Sequence, residues 1–575
     1  MQKRLKKTTI GDKLAEAANL AGQSEYPSVF AAAYIFLKIR ERGLVDVENL
    51  VDFVDGLDLP QQSKTFLKFT LSKTWKHYRP LITAVTDDEL RTLITSSKFD
   101  MRPYQLATPQ SVIQLCVGLL GVRKADTCAD MGSDTGAFLI EVAKECDNVK
   151  ATGIELNPES SIIANLRFEA MGLTGRIESI EKDIFALGKD FEQFDRVFCH
   201  PPFGLKYLSE AGRKFIEGIP SLPPLRANTT SDWYFVLRAL ASLNDKGRCA
   251  VLITSGATFS LSDIPVRKYL VERNLVEAVV ALPAGMMTGI GVQMTIVLLN
   301  KAKRDASIIM VDASTCGHRS KRITVLSNDE ICEILSILNR EASDVCQIPH
   351  AVADMSEIEQ EDFILMPRRY AGCERVNIPD GKPFGVLMSA ISSGESLTPA
   401  EREEIKSSEP TKFGYITQAV IKDGVIDKSE IWISRTPQGR HPVRVSNGDL
   451  ILTKVGRPLK CTVVDAKDDE HLFVGPNLYA IRLNTDLIDP YFVKAYLESP
   501  TGQALLSRIS CGVGMPVIPM RDLKEITIPV PPMSKQKAVS NLYKARLAEV
   551  SYLRREIERA SNALNTVYTD AIKEA

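Results

Sequence analysis

The sequence is short of paired cysteines. Its 11 Cys residues are scattered, with no C-x-x-C pair and no histidine at zinc-ligand spacing, which argues against a disulfide framework and against a structural metal. Reduced thiols of this kind lead us to expect a cytoplasmic protein. No run of about 18 apolar residues occurs, and the basic start Met1-Gln2-Lys3-Arg4-Leu5-Lys6-Lys7 has no apolar stretch behind it. Neither a membrane helix nor a secretory leader is expected. The absence of a Gly-x4-Gly-Lys-Ser/Thr string argues against a built-in translocating ATPase. Excess charge of either sign is also missing: 71 Lys and Arg stand against 72 Asp and Glu. Bulk electrostatics therefore selects no polyanionic partner, although a local basic face suffices for phosphate contacts.

What is present is length and changing texture. At 575 residues the chain exceeds one ordinary core, so several domains are expected. In residues 1–100 apolar positions such as Val29, Ala32, Ala33, Ile35, Phe36 and Ile39 recur at helical spacing, which predicts a helical N-terminal domain. In 101–367, short β-branched runs (Ala151-Thr152-Gly153-Ile154-Glu155, Arg196-Val197-Phe198, Cys249-Ala250-Val251-Leu252-Ile253) alternate with helical patterns, the signature of a mostly parallel α/β sheet. Residues 368–533 are rich in Gly, Pro and turn signals such as Asn447-Gly448-Asp449, which predicts a loop-rich α+β domain. Residues 534–575 carry Val550, Leu553, Ile557, Ala560, Leu564, Val567 and Ala571 at alternating three- and four-residue spacing, which predicts a long helix of coiled-coil type. The same pattern also fits an amphipathic helix lying on its own domain.

The chemistry concentrates in the α/β region. The run Asp126-Thr127-Cys128-Ala129-Asp130-Met131-Gly132-Ser133-Asp134-Thr135-Gly136-Ala137-Phe138-Leu139-Ile140 reads as strand, small-residue turn and helix start, a turn that lets backbone approach a ligand closely. Glu155 ends the next apolar strand, where a carboxylate can bind a ribose diol. An acid again follows a hydrophobic stretch at Glu181-Lys182-Asp183-Ile184, and Asp195-Arg196-Val197-Phe198-Cys199 leads into His200-Pro201-Pro202-Phe203-Gly204.

The order of these motifs resembles the amino-group DNA methyltransferases, specifically the modification subunits of type I restriction-modification systems. Ala107-Thr108-Pro109-Gln110, Lys246-Gly247-Arg248-Cys249-Ala250-Val251-Leu252, Arg267-Lys268-Tyr269-Leu270 and Ala281-Leu282-Pro283-Ala284-Gly285-Met286 extend the resemblance over roughly residues 100–305. It implies a Rossmann-like methyltransferase domain that uses S-adenosyl-L-methionine to methylate the N6 amine of adenine in double-stranded DNA. His200, Pro201, Pro202 and Phe203 occupy the catalytic motif: acceptors for the target amine at His200 and the Pro201 carbonyl, and an aromatic face at Phe203 for a flipped base. By the same resemblance Asp130, Gly132 and Gly136 shape the pocket for the methionine end of the cofactor, Glu155 holds the ribose, Asp183 accepts from the cofactor's adenine amine, and Thr108 sits near its tail.

Three positions depart from the family pattern. Asp134 replaces a glycine of the turn, placing a charged side chain where backbone meets ligand; Leu106 replaces an aromatic; and His200 stands where Asn or Asp is usual. A neutral imidazole offers one acceptor nitrogen and a protonated one none, so with an ordinary pKa near 6.5 the rate should fall as pH drops through that value. A catalytically degenerate DNA-binding scaffold of a defence complex is the rival reading, and cytosine amine methylation another.

Beyond about Lys382 the chain resembles one target-recognition half of a type I specificity subunit. The strings are Asn447-Gly448-Asp449-Leu450-Ile451-Leu452-Thr453, Asp489-Pro490-Tyr491-Phe492-Val493 and Ile526-Thr527-Ile528-Pro529-Val530-Pro531-Pro532-Met533-Ser534-Lys535-Gln536-Lys537. This implies a DNA-reading module with a spacer helix, which calls for a homodimer or a separate specificity subunit to supply a second helix. Lys454, Arg457 and Lys460 around the Gly456-Pro458 turn are candidate phosphate contacts. Pro379-Asp380 with Glu404-Ile405-Lys406 matches a nuclease spacing, but Thr398-Pro399-Ala400-Glu401 reads as a helix start, the wrong setting for metal-binding acids on strands, so any cleavage would require a separate restriction partner.

Overall fold

Strands rich in small and β-branched residues, most of them largely buried, build the central sheet of the first part of the chain: Thr127–Met131 (β1), Lys150–Glu155 (β2), Ile177–Glu181 (β3), Phe194–Cys199 (β4), Leu243–Thr254 (β5), Val276–Ala281 (β6), Met294–Asn300 (β7) and Ile308–Asp312 (β8). The computed structural model describes residues 25–95, 107–188, 191–205, 208–287, 291–320, 323–341, 346–371, 378, 380–438, 441–512 and 515–573. The basic residues 1–7 and the expected boundary at 100/101 lie outside these. The chain forms two compact units, Met1–Gly372 and Cys373–Ala575.

In the first unit the strand order is β3-β2-β1-β4-β5-β7-β6-β8, with His350–Ala353 on the far edge beside β8. β1 pairs in parallel with both β2 and β4, whereas β7 runs antiparallel between β5 and β6. The chain leaves β1 toward β2 on one side and returns at β4 on the other. That reversal opens a crevice at the carboxyl ends of β1 and β4, where doubly wound sheets bind ligands. Helices cover both faces: Gln110–Leu120, Ala137–Glu145 and Asn328–Leu338 pack on one, Asp232–Ala241 and Ile264–Glu272 on the other.

The helical N-terminal region comprises Glu25–Glu41, Leu50–Asp55, Gln61–Leu71, Trp75–Tyr78 and Asp87–Thr95. Its first helix is apolar almost all round and is buried from Ser28 to Leu37, as such a pattern demands. The layer has its own core, closed by Ile163 and Leu166 from the outer face of helix Pro158–Ala170. Among the described residues no helix is long and apolar enough to cross a membrane.

The second unit holds two four-stranded sheets, in the orders Met388–Ser393, Leu478–Leu483, Leu450–Thr453, Cys461–Val463 and Trp432–Ile433, Phe413–Ile416, His471–Val474, Arg444–Val445. The pairing is antiparallel except between Phe413–Ile416 and His471–Val474. Thr398 caps the short helix Pro399–Ile405, and Glu404 on that helix pairs with Arg435, so the nuclease spacing falls on a helix; Pro379 lies outside the described residues. The chain ends in the 41-residue helix Met533–Lys573. Its start is held by buried polar contacts: Gln536 Oε1 accepts the Asp489 N–H at 2.9 Å, Ser540 donates to Asp489, and Tyr543 hydrogen-bonds to Glu498 beside the fully buried Lys494 ammonium. Further along, Val550, Leu553, Ile557 and Leu564 are 42–75% exposed, so this stripe does not lie on its own unit; the side chains of Val567 and Ala571 lie outside the described residues.

Candidate active site

The turns that follow β1, β2 and β4, together with Asp183 after β3, converge on a cavity of about 1050 Å³. Thr108, Asp130, Gly132, Glu155, Asp183, His200, Pro201, Pro202 and Phe203 all line it; Gly136 does not. Gly136 has φ +81° at the start of helix Ala137–Glu145, and a Cβ there would meet the Phe168 ring at 2.5 Å, so its place is in the packing behind the turn. Leu106 lies outside the described residues.

Glu155 organises the turn. One carboxylate oxygen accepts the Asp134 N–H at 2.8 Å and the other the Asn157 N–H at 2.7 Å, holding the turns after β1 and β2 together. Asp134 sits at φ +44°, a left-handed conformation that aspartate tolerates better than most residues. Its side chain turns toward helix Pro158–Ala170, where it accepts the Ser160 hydroxyl at 2.8 Å. The expected intrusion at the glycine position is thus partly taken up by a local hydrogen bond. Asp183 caps a short helical turn by accepting the Phe185 N–H at 2.9 Å, and its second oxygen accepts from Ser209 at 3.2 Å.

Asp130 is buried, and its Oδ1 has no hydrogen-bond partner among the described residues. Burial, reinforced by the Glu155 and Asp134 carboxylates, pushes its pKa well above the usual carboxylate range. Asp130 and Glu155 therefore leave acidic capacity that a cationic ligand would satisfy. The α-ammonium and sulfonium of S-adenosylmethionine fit that demand, and a ribose diol suits the remaining lone pairs of Glu155.

At the other end, Thr108 Oγ1 lies 2.8 Å from His200 Nδ1. The residue keeps some exposure, but its Nε2 is sealed from solvent without a partner among the described residues. Burial lowers the imidazole pKa to about 4. This corrects the pH expectation built on an ordinary histidine: the ring is neutral throughout the neutral range. Phe203 stands edge-on to it, with ring centroids 5.4 Å apart at 81°.

Sequence reading missed Leu156, Ile184 and Phe185, which also line the cavity. Leu156 is 69% exposed although large and apolar. Its signal was available: an apolar residue wedged between a strand-terminal acid and Asn157-Pro158, the cap and first residue of a helix.

In the second unit, Lys454 donates to Ser393 Oγ at 2.8 Å and Lys460 to the Gln418 and Ile421 carbonyls at 3.0 and 2.6 Å. Both ammonium groups are engaged internally, whereas Arg457 is exposed.

A doubly wound sheet with an antiparallel seventh strand, and a cavity at its carboxyl edge offering acids to a cationic ligand and an unpaired acceptor beside them, defines the methyltransferases that use S-adenosylmethionine. Residues 102–377 match the family model N-6 DNA Methylase. The chain is 25% identical over 309 residues to the type I restriction enzyme HindI methylase subunit of Haemophilus influenzae, covering 51% of this chain and 69% of that one. It is 23% identical over 291 residues to the type I MpnII methylase subunit of Mycoplasma pneumoniae, covering 46% of this chain and 53% of that one. A solved type I restriction-modification methyltransferase subunit from Streptococcus thermophilus is similar at 18% identity and a TM-score of 0.45, over 64% of this chain and 92% of that one. Over the matched residues the chain is thus similar to adenine-specific (N6) DNA methylases, type I restriction-modification methylase subunits among them, which use S-adenosylmethionine.

Proposed function

We propose that the chain is a sequence-specific adenine-N6 DNA methyltransferase in which buried, neutral His200 takes the role that Asn or Asp plays in related motifs. The carrying observation is that His200 Nε2 and Asp130 Oδ1 are both buried without a hydrogen-bond partner among the described residues, on two residues that line the same cavity. Asp130, Gly132 and the turn behind them hold the methionine end of the cofactor, Glu155 its ribose, and Asp183 with Leu156 and Phe185 its adenine. When bound, S-adenosylmethionine supplies an electrophilic methyl group on a positively charged sulfur.

The target amine is a poor nucleophile because its lone pair is delocalised into the ring. Nδ1 faces Thr108 Oγ1 at 2.8 Å, and in the tautomer whose Nδ1–H donates to that hydroxyl, Nε2 carries the lone pair and accepts from the amine. The Pro201 carbonyl is a second acceptor, and Phe203 offers a face to the base. A pKa of about 4 makes His200 a hydrogen-bond acceptor and a weak base, ill suited to store the proton released from the amine.

The second unit reads the DNA sequence, with exposed Arg457 contacting phosphate, and the uncovered stripe of helix Met533–Lys573 pairs with a second such helix, from another copy of the chain or a specificity subunit. The test is incubation with tritiated S-adenosylmethionine and genomic DNA from a strain lacking the gene, followed by nucleoside analysis. Label recovered as N6-methyladenine at a defined sequence supports the proposal; cofactor binding without transfer, across DNA of all sequences, contradicts it.

A further inference from the structure

Arg167, on helix Pro158–Ala170, is 1% exposed and carries its guanidinium between two parts of the first unit. On one side, Nη1 donates to Thr135 O at 2.7 Å and to Thr135 Oγ1 at 3.0 Å. On the other, Nε donates to Ile94 O at 2.9 Å and Nη2 to Thr95 O at 3.2 Å, the last carbonyls of helix Asp87–Thr95. A cation there satisfies acceptors that a helix terminus leaves open and that its dipole makes negative.

Thr135 belongs to the turn that shapes the cavity, and the same helix touches that turn at each neighbouring residue. Ser160 donates to the Asp134 carboxylate, and Phe168 lies against Gly136. Asp134 and Gly136 both have positive φ, so the turn holds a conformation that its neighbours must maintain. The described part of the helical layer ends at Thr95, and the next described residues, Ala107 and Thr108, line the cavity.

We infer that Arg167 is a positioning residue that locks the cofactor turn to the helical N-terminal layer, so that cofactor binding and the integrity of that layer are thermodynamically coupled. The inference rests on reading the cavity as the cofactor site. Coupling of this kind is reciprocal: whatever the layer contributes to cofactor affinity, the cofactor returns as protection of the layer. The Tyr34 and Lys38 contacts to Glu169, at 2.7 and 2.6 Å, join the same layer to the same helix without touching the turn, which supplies a control.

The experiment compares the full chain with Arg167→Gln, Arg167→Lys and Glu169→Gln by calorimetric titration with S-adenosylmethionine and by amide hydrogen exchange with and without it. Loss of charge-assisted bonds to the turn predicts cofactor binding weakened about tenfold or more in Arg167→Gln, with turnover at saturating cofactor largely retained. Arg167→Lys recovers part of that affinity, because one ammonium can satisfy one side of the fork. Glu169→Gln loosens the layer but shifts affinity less than about twofold. Cofactor slows exchange in Asp87–Thr95 of the parent and not of Arg167→Gln, a readout that needs no more than the parent protein if the variant does not fold. Equal losses of affinity in Arg167→Gln and Glu169→Gln, or no cofactor-linked protection of Asp87–Thr95 in the parent, would overturn the inference. A parent that binds no cofactor fails the reading of the cavity instead. Exchange without cofactor then decides the lock: faster exchange at Gly132–Gly136 in Arg167→Gln alone supports it, and unchanged exchange overturns it.

Discussion

The two ends of the cavity are built on opposite principles. At the proposed cofactor end, carboxylates gather, and most of their oxygens are already committed: Glu155 to two backbone amides, Asp183 to a backbone amide and a hydroxyl. At the proposed reaction end stand an imidazole, two prolines and a phenyl ring. Burial acts on both and drives one group at each toward its neutral form, Asp130 by raising its pKa and His200 by lowering it. The consequences differ. The acid end becomes a place where a bound cation is rewarded, while the histidine end becomes a neutral acceptor that stays constant across the working pH range.

Breaking the reaction end should have the largest effect. His200→Ala is expected to lower kcat by about 100- to 1000-fold, the scale of losing one preorganised polar group at a reacting centre, with the cofactor dissociation constant little changed; steady-state kinetics with calorimetry checks the split. At the acid end, Asp130→Asn should weaken S-adenosylmethionine binding by about 10- to 100-fold while making the free protein more stable. The sign follows from the raised pKa: the folded state binds the proton more tightly than the unfolded chain, so the contribution of Asp130 is fully present in acid and is lost as pH rises through its folded pKa. The stability advantage of the variant over the parent should therefore grow with pH, which denaturant melts across a pH series would reveal.

Histidine gives the reverse slope. With a folded pKa of about 4 against an ordinary value of 6.5, His200 contributes stability above pH 6.5 that is lost as pH falls toward 4. The loss is about 3 kcal/mol at most, and it should be missing from His200→Asn. The smallest effect is expected away from the cavity. Leu553→Glu with Ile557→Glu should leave cofactor affinity and thermal stability unchanged, because both side chains are exposed, and should abolish self-association in sedimentation runs if the helix pairs with its own copy.

The same contrast explains what sequence reading could reach. Strand-terminal acids, the small-residue turn and the His200-Pro201-Pro202-Phe203 string are local patterns, and the parallel register of β1 with β2 and β4 brings them to one edge without further instruction. The helical N-terminal layer was legible because its apolar residues recur at helical spacing. Illegible were features set by partners distant in sequence. The pKa of His200 depends on burial that no motif encodes. Asp134 read as an intrusion, but its conformation and its hydrogen bond to Ser160 depend on a helix more than twenty residues away. Lys454 and Lys460 read as free cations because nothing local announces that Ser393, Gln418 and Ile421 accept from them. Arg167 went unnoticed for the same reason: a buried guanidinium linking three segments looks, in sequence, like any helix arginine.

The central claim, that a neutral His200 accepts from the target amine, is tested most directly by the pH dependence of single-turnover methyl transfer at saturating cofactor, comparing the parent with His200→Asn and His200→Ala. The account predicts a parent rate that does not fall as an ordinary histidine would between pH 8 and about 5.5, substantial transfer by His200→Asn, whose side-chain oxygen is also an acceptor, and near-complete loss in His200→Ala. A parent rate falling through pH 6.5, or His200→Ala as active as the parent, would contradict it.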